Sequence, residues 1–145
     1  MKFKEVVLRI ISLRYTDIIL ATIGSILLFI YYWNSSYVNY LGLLVFIIGL
    51  IIWMLGRIHI KKSYDVLPKA KKLITTGIYS KLTHPIYVGS ILFFSGLSIF
   101  TLNLYIIIFT IILLIIQIKR AEIEEKVLIK KFGDKYLKHK KQTWF

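Results

Sequence analysis

Three long apolar stretches dominate the pattern of hydrophobic and polar positions along the chain. They cover residues 18–33, 40–55 and 86–118. A helix that crosses a hydrocarbon core of roughly 30 Å needs ~20 residues, so the third stretch is too long for one crossing. Asn103, with Thr101 just before it, offers a turn that divides this stretch into helices 86–101 and 104–118. The pattern therefore predicts an all-α polytopic membrane protein with four transmembrane helices.

The positive charges give this protein an orientation. All 20 Lys and Arg residues fall before the first stretch, in the segment 56–81, or from Lys119 onward. Four crossings place these three segments on one side, and the positive-inside rule makes that side, with both termini, cytoplasmic. The net charge of +13 therefore favours contacts with anionic lipid headgroups. We expect no nucleic-acid partner, because no recognition motif accompanies the charge.

Composition narrows the chemistry further. The chain has no cysteine, which excludes disulfides, a thiolate nucleophile and a cysteine-based zinc site. Its three histidines are scattered, so we expect no metal site. The apolar stretches contain no charged residue, which disfavours a transporter. There are no repeats and no low-complexity linkers, and we expect one domain, 1–145, with its polar chemistry on the cytoplasmic side.

The junction LITTGIYSKLTHPIYVG leads into the third predicted helix. Gly77 fits a turn that needs a positive φ. Pro85 suits the first turn of a helix, and it keeps His84 out of helical geometry at the N-terminal end. Gly89 leaves space one turn later for either a ligand or a neighbouring helix. On spacing alone, a capped helix with a glycine packing contact and a binding site remain equally open.

The C-terminal segment carries a glutamate in an unexpected position. A helical pattern runs over 119–132 and ends at Gly133, a C-cap residue. Its predicted apolar face consists of Ile123, Val127, Leu128 and Phe132. Glu124 lies on that face, where a carboxylate is costly unless it has a partner. It therefore pairs with Arg120 or accepts hydrogen bonds from a ligand, and Glu125 lies at the edge of the same face.

Together these segments resemble the isoprenylcysteine carboxyl methyltransferase and phospholipid methyltransferase superfamily. The resemblance rests on T-T-G-x-Y-x-x-x-x-H-P-x-Y-x-G, a membrane hairpin, and E-E-x-x-L-x-x-x-F-G-x-x-Y, in this order. It covers about residues 56–139. The matching residues are Gly77, Tyr79, His84, Pro85, Tyr87, Gly89, Glu124, Glu125, Leu128, Phe132, Gly133 and Tyr136.

The resemblance implies an integral membrane enzyme that uses S-adenosylmethionine and takes a lipophilic methyl acceptor from the bilayer. The implied cofactor-binding residues are Gly77, Tyr79, His84, Pro85, Tyr87, Gly89, Glu124 and Glu125. An amine acceptor must lose a proton, and His84 is the nearest general base. Arg57 is the candidate for substrate binding, with a snorkelling anchor as its other interpretation.

Two departures from the superfamily pattern leave the acceptor open. Thr83 stands where an arginine usually precedes His-Pro, and Gln142-Thr143-Trp144 stands where Arg-Val-Pro follows the final helix. Arginines at these places would suit bidentate binding of a carboxylate. The acceptor is therefore either an isoprenylcysteine carboxylate or a phospholipid amine. The alternative function is an inactive lipid-binding or assembly protein of the same fold.

Overall fold

The computed structural model describes residues 3–60 and 73–144, with side chains from residue 16 onward. The described residues form five α-helices and one short 3-10 helix and contain no β-strand, which confirms the all-α prediction. The α-helices are α1 (Phe3–Tyr32), α2 (Tyr37–His59), α3 (Pro85–Thr101), α4 (Leu104–Phe132) and α5 (Asp134–Lys141); the 3-10 helix is Gly77–Ser80. Much of the predicted cytoplasmic loop 56–81 lies outside the described residues.

The chain divides into two compact units, one up to Ser36 and the other from Tyr37 onward. The first unit contains α1, which extends upstream of the predicted stretch 18–33 because no Gly or Pro interrupts residues 3–17. Thr22 and Ser25 donate their hydroxyl hydrogens to the carbonyls one turn earlier, at 2.8 and 2.7 Å. These contacts satisfy polar groups in an otherwise apolar helix.

In the second unit, α2 and α3 approach closely because glycines face aromatic positions. A Cβ atom at Gly49 would lie 2.2 Å from the backbone nitrogen of Phe93, and one at Gly96 would lie 2.3 Å from that of Phe46. The two phenylalanine rings also pack together, with centroids 4.2 Å apart. Small residues that let helix backbones meet are typical of helix pairs in membranes.

The turn between α3 and α4 lies where the sequence predicts it. Leu102 adopts a left-handed conformation (φ 47°) and ends α3, and the Asn103 side chain accepts hydrogen bonds from the first backbone N–H groups of α4. Asn39 on α2 is buried and donates to the carbonyl of Phe100 at 2.8 Å. This bond fixes the last turn of α3 against the start of α2.

Polar side chains pair along the contact between α3 and α4. The hydroxyls of Ser98 and Thr110 lie 2.8 Å apart. Two turns nearer the start of α3, the Gln117 amide nitrogen donates to the Ser90 hydroxyl at 3.0 Å. As residue numbers fall on α3 they rise on α4, so these pairs fix the register of two antiparallel helices.

The structure corrects the predicted boundary between a fourth membrane helix 104–118 and a separate tail helix 119–132. These segments form one continuous helix of 29 residues. From Lys119 onward the side chains of this helix change from apolar to mainly charged and polar, which favours an aqueous environment. The backbone hydrogen bonding continues, because no Gly or Pro interrupts it before Gly133. The helix ends at Gly133, as predicted, and α5 follows at once.

Among the described residues, α2 and α4 are long and apolar enough to cross a membrane. The apolar helix α3 and the apolar segment 16–32 of α1 are shorter. Large hydrophobic side chains remain exposed on both longer helices, including Leu41, Leu44, Ile48, Ile51, Ile108, Ile111, Ile112 and Ile115. Contiguous apolar surface of this kind is suited to lipid.

Candidate functional site

His84 occupies the N-cap of α3, and Pro85 is the first helical residue. The backbone of His84 is outside the helical region (φ −127°, ψ 62°), while its carbonyl accepts hydrogen bonds from Tyr87 and Val88, each at 3.1 Å. The His84 and Tyr87 rings stack with centroids 5.7 Å apart. The His-Pro pair therefore fixes the position of an imidazole and an aromatic ring at the start of α3.

Helix α4 brings Glu124 to this imidazole. The Glu124 Oε2 atom lies 3.7 Å from His84 Nδ1, and the side chains are 41% and 12% exposed. Glu124 thus meets His84, whereas the sequence had offered Arg120 as its protein partner. At one edge of the predicted apolar face, the Ile123 side chain is 61% exposed. The inward side of α4 is rotated toward Glu124 and Glu125.

The His84–Glu124 contact is a polar contact of a neutral imidazole. Burial lowers the pKa of His84 from 6.5, the nearby carboxylates of Glu124 and Glu125 raise it, and Lys140 lowers it, with a net lowering. His84 is therefore mostly uncharged at pH 7. Its distance to Glu124 exceeds that of a normal hydrogen bond, so both groups keep hydrogen-bonding capacity.

Helix α5 supplies a cation to the same cluster. Gly133 has a positive φ of 50°, a conformation that glycine adopts without steric cost, and this turn directs α5 back alongside α4. Lys140 Nζ then forms an ion pair with Glu125 Oε1. Lys140 was not among the residues proposed from the sequence, because one lysine in a lysine-rich tail carries no distinguishing signal.

Tyr136 on α5 is the most buried side chain of this cluster. It is 1% exposed, and its hydroxyl has no hydrogen-bond partner among the described residues. Burial and the negative charges of Glu125 and Glu124 raise its pKa to about 12. Tyr136 belongs to the motif that carried the resemblance, but it was not assigned to the site. The signal in the sequence that could have assigned Tyr136 to the site was its place in that motif. In the structure, Tyr136 and His139 are the buried residues of α5, which is otherwise rich in lysine.

The C-terminal residues close over the segment that precedes His84. Trp144 N donates to the Lys81 carbonyl at 2.7 Å, and Thr83 N donates to the Trp144 carbonyl at 3.3 Å. The hydroxyls of Thr83 and Thr143 lie 2.5 Å apart. Because Thr143 donates its hydrogen to the Lys140 carbonyl at 3.1 Å, Thr83 is the donor to Thr143. We call this set of contacts between residues 81–83 and 143–144 the tail clasp.

Three of the remaining predicted residues lie against α2. Gly77 has a positive φ of 64°, and a Cβ atom there would lie 2.0 Å from the His59 ring. The Tyr79 hydroxyl donates to a carbonyl near the end of α2, that of Gly56, at 3.4 Å. A Cβ atom at Gly89 would lie 2.4 Å from the Trp53 backbone nitrogen. These contacts hold the junction and α3 in place, and a ligand-binding role for the three residues stays a prediction.

Arg57 lies in the last turn of α2 and is half-buried. The structure brings together one cluster from the start of α3, the C-terminal part of α4, and α5: His84, Tyr87, Glu124, Glu125, Tyr136 and Lys140. In the part of the chain that the structure describes, no group of three or more His, Asp or Glu side chains could hold a metal ion. The cluster offers a neutral imidazole, two carboxylates, an ammonium and a protonated phenol.

Two of the described helices are long and apolar enough to cross a membrane, and a polar cluster joins the start of α3 to the C-terminal part of α4. The family model of the phospholipid methyltransferases matches residues 36–135, which include most of the cluster. The chain belongs to this family. The match confirms the superfamily predicted from the motifs.

Curated relatives carry related names. The chain is 32% identical over 111 residues to probable protein-S-isoprenylcysteine O-methyltransferases of Oryza sativa subsp. indica and subsp. japonica, covering 72% of this chain and 56% of theirs. It is 31% identical over 109 residues to protein-S-isoprenylcysteine O-methyltransferase of Saccharomyces cerevisiae, covering 71% of this chain and 46% of that protein. The chain thus spans about half the length of these relatives.

Proposed function

We propose that the protein is an integral membrane methyltransferase that uses S-adenosylmethionine to methylate a lipophilic acceptor. The observation that carries this proposal is the convergence of His84, Glu124 and Glu125 at one place. These residues come from two motifs separated by a membrane hairpin, and both lie inside the family match. Methyl transfer is an in-line displacement, so positioning and exclusion of water supply most of the catalysis.

We propose that the chain crosses the membrane four times, with both termini and the site in the cytoplasm. The distribution of Lys and Arg supports this orientation, because the 34–39 loop and the turn at Asn103 contain neither. The continuous helix α4 supports it as well, since its apolar part leads directly into the segment that carries Glu124. Residues 1–145 then form one methyltransferase-like domain, with the cofactor-binding part at about 56–139.

The cluster fits the cofactor chemically. The unpaired hydroxyl of Tyr136 and the half-exposed Glu124 carboxylate offer hydrogen bonds to ribose hydroxyls or an ammonium. The Tyr87 ring beside His84 offers an aromatic face to a cation. The cofactor supplies the methyl group on its sulfonium sulfur. The full proposed set keeps the sequence assignment: Gly77, Tyr79, His84, Pro85, Tyr87, Gly89, Glu124 and Glu125.

We propose His84 as the catalytic residue when the acceptor is an amine. An amine attacks only as the free base, and a neutral imidazole at pH 7 can take its proton. A carboxylate acceptor needs no base but gains from a cation, for which Arg57 is the proposed contact. The family name favours a phospholipid amine, and the relatives' names favour an isoprenylcysteine carboxylate. The experiment must therefore identify which of these molecules receives the methyl group.

The test is methyl transfer in membranes that contain the protein, supplied with methyl-labelled S-adenosylmethionine. We expect label in the lipid-soluble fraction, in phospholipid for an amine acceptor or as a base-labile ester on a prenylated cysteine for a carboxylate. His84→Ala and Glu124→Ala should each weaken cofactor binding by about tenfold in calorimetry. Membranes whose labelling matches that of protein-free membranes, together with a protein that binds no cofactor, would overturn the proposal.

A further inference from the structure

The buried hydroxyl of Tyr136 lacks the partner that its position demands. Buried polar groups in proteins are nearly always hydrogen-bonded, yet this Oη atom has no partner among the described residues, and the residue is 1% exposed. The backbone of Tyr136 is ordered by a hydrogen bond, which its N–H group donates to the Gly133 carbonyl at 3.0 Å. A buried hydroxyl that has no protein partner is a group that a bound ligand could satisfy.

The groups around Tyr136 define which ligand chemistry suits this hydroxyl. Glu124 and Glu125 both act on it electrostatically. The Lys140 ammonium is engaged with Glu125, and His84, the partner of Glu124, is uncharged at pH 7. The cluster therefore has two carboxylates that act on the phenol and one ammonium, which is paired with Glu125. Such a place attracts a cation.

We propose that the Tyr136 hydroxyl, together with Glu124, binds a primary ammonium group of a bound ligand. The three N–H donors of an ammonium can reach the phenol oxygen and a carboxylate at once. This inference rests on the proposed function, because the cofactor's amino-acid end and an aminophospholipid headgroup both carry this group. Tyr136 is then a ligand-binding residue, because its hydroxyl gives the ammonium a second hydrogen-bond acceptor besides the Glu124 carboxylate.

Tyr136→Phe tests the proposal, because it removes only the oxygen and keeps the ring. The unliganded protein in detergent should melt at the same temperature or higher, since an unpaired buried hydroxyl is lost. The affinity for S-adenosylhomocysteine in calorimetry should fall by about tenfold. Tyr105→Phe is the matched control: its side chain is 81% exposed at the start of α4, and both quantities should stay unchanged.

Three cofactor analogues identify the ligand atom. Decarboxylated S-adenosylhomocysteine keeps the ammonium, and 5′-methylthioadenosine lacks both the ammonium and the carboxylate. Tyr136→Phe should weaken binding of S-adenosylhomocysteine and of its decarboxylated form, and leave 5′-methylthioadenosine unaffected. If the cofactor analogues all keep their affinity while KM rises for phosphatidylethanolamine in vesicles, the ammonium belongs to the acceptor and the proposal stands.

Other outcomes overturn the inference while leaving the proposed function intact. An equal loss of affinity for 5′-methylthioadenosine would place the hydroxyl on the nucleoside. A lower melting temperature with unchanged affinities and unchanged KM would make Tyr136 a purely structural residue. In both cases wild-type cofactor binding and methyl transfer would still support the methyltransferase proposal, so the two failures are distinguishable.

Discussion

The hydroxyls of Thr83 and Thr143 share a hydrogen bond of 2.5 Å although sixty residues separate them along the chain. Thr83 stands where the superfamily pattern has an arginine, and Thr143 is the middle residue of Gln142-Thr143-Trp144, which stands where that pattern has Arg-Val-Pro. The structure shows that the departures are neighbours, and that a neutral hydroxyl pair joins them. The bond continues through Thr143 to the Lys140 carbonyl, and the Lys140 side chain holds Glu125. The tail clasp is therefore connected to the proposed cofactor site.

The tail clasp should contribute measurably to stability. Thr83 is 7% exposed, so Thr83→Val leaves a shape of similar volume but removes a buried hydrogen bond worth about 1 kcal/mol. Thr143→Val should cost more, because it also removes the hydrogen bond to the Lys140 carbonyl. The double variant should cost less than the two single losses together, because they remove the same bond. Thermal unfolding in detergent measures this coupling, and strictly additive losses would contradict the bond.

The pKa of His84 should lie below 6.5, because burial outweighs the neighbouring carboxylates. NMR titration of histidine-labelled protein measures it, with His84→Gln identifying the signal. The unfolded chain takes up this proton below pH 6.5, whereas the folded chain takes it up only at lower pH. The contribution of His84 to stability is thus full above pH 6.5 and is lost as the pH falls through the folded-state pKa. A folded-state pKa above 6.5 would contradict the burial argument.

Two substitutions should move this pKa in opposite directions. Glu124→Gln removes the carboxylate that most raises the His84 pKa, so the pKa should fall further. Lys140→Met removes a positive charge that lowers it, so the pKa should rise. The same NMR titration reports both shifts. Shifts of the same sign would mean that Glu124 and Lys140 do not act on His84 through their charges.

The contact between α2 and α3 should tolerate no side chain at Gly49. Its Cβ would lie 2.2 Å from the Phe93 backbone nitrogen, so Gly49→Ala should force the helices apart and cost about 3 kcal/mol or more. Gly24→Ala is the control, because a Cβ there meets nothing within 4 Å. It should be neutral or stabilise α1 by up to about 1 kcal/mol. Equal melting temperatures for the two variants would contradict this packing.

The helices were predictable from sequence because each rests on a local signal. The turn at Asn103 and the helix start at Pro85 depend on neighbours within a few residues, and both are where the sequence places them. The face of α4 was less predictable. Periodicity defined a broad apolar face that includes Ile123 and Glu124. The contact with α3 places Glu124 toward His84 and leaves Ile123 exposed, because the pattern of one helix does not reveal where its neighbour lies.

The polar contacts of the tail were beyond the reach of local patterns. Glu125 meets Lys140 only because Gly133 turns α5 back along α4. The direction of that turn depends on two dihedral angles that the glycine itself leaves free. The unpaired hydroxyl of Tyr136 follows from the same turn, and so does the position of Thr143 beside Thr83.

The unbroken helix α4 has a mechanical consequence. At 1.5 Å per residue its 29 residues form a rod of about 43 Å, longer than a hydrocarbon core. A rod without a hinge tilts as one body, so in the proposed membrane arrangement a change of tilt in its apolar part also moves Glu124. The tilt of a membrane helix responds to the thickness of the bilayer and to packing against neighbouring helices. In the proposed arrangement, the thickness of the bilayer thereby acts on the position of a carboxylate that lies beyond its apolar interior.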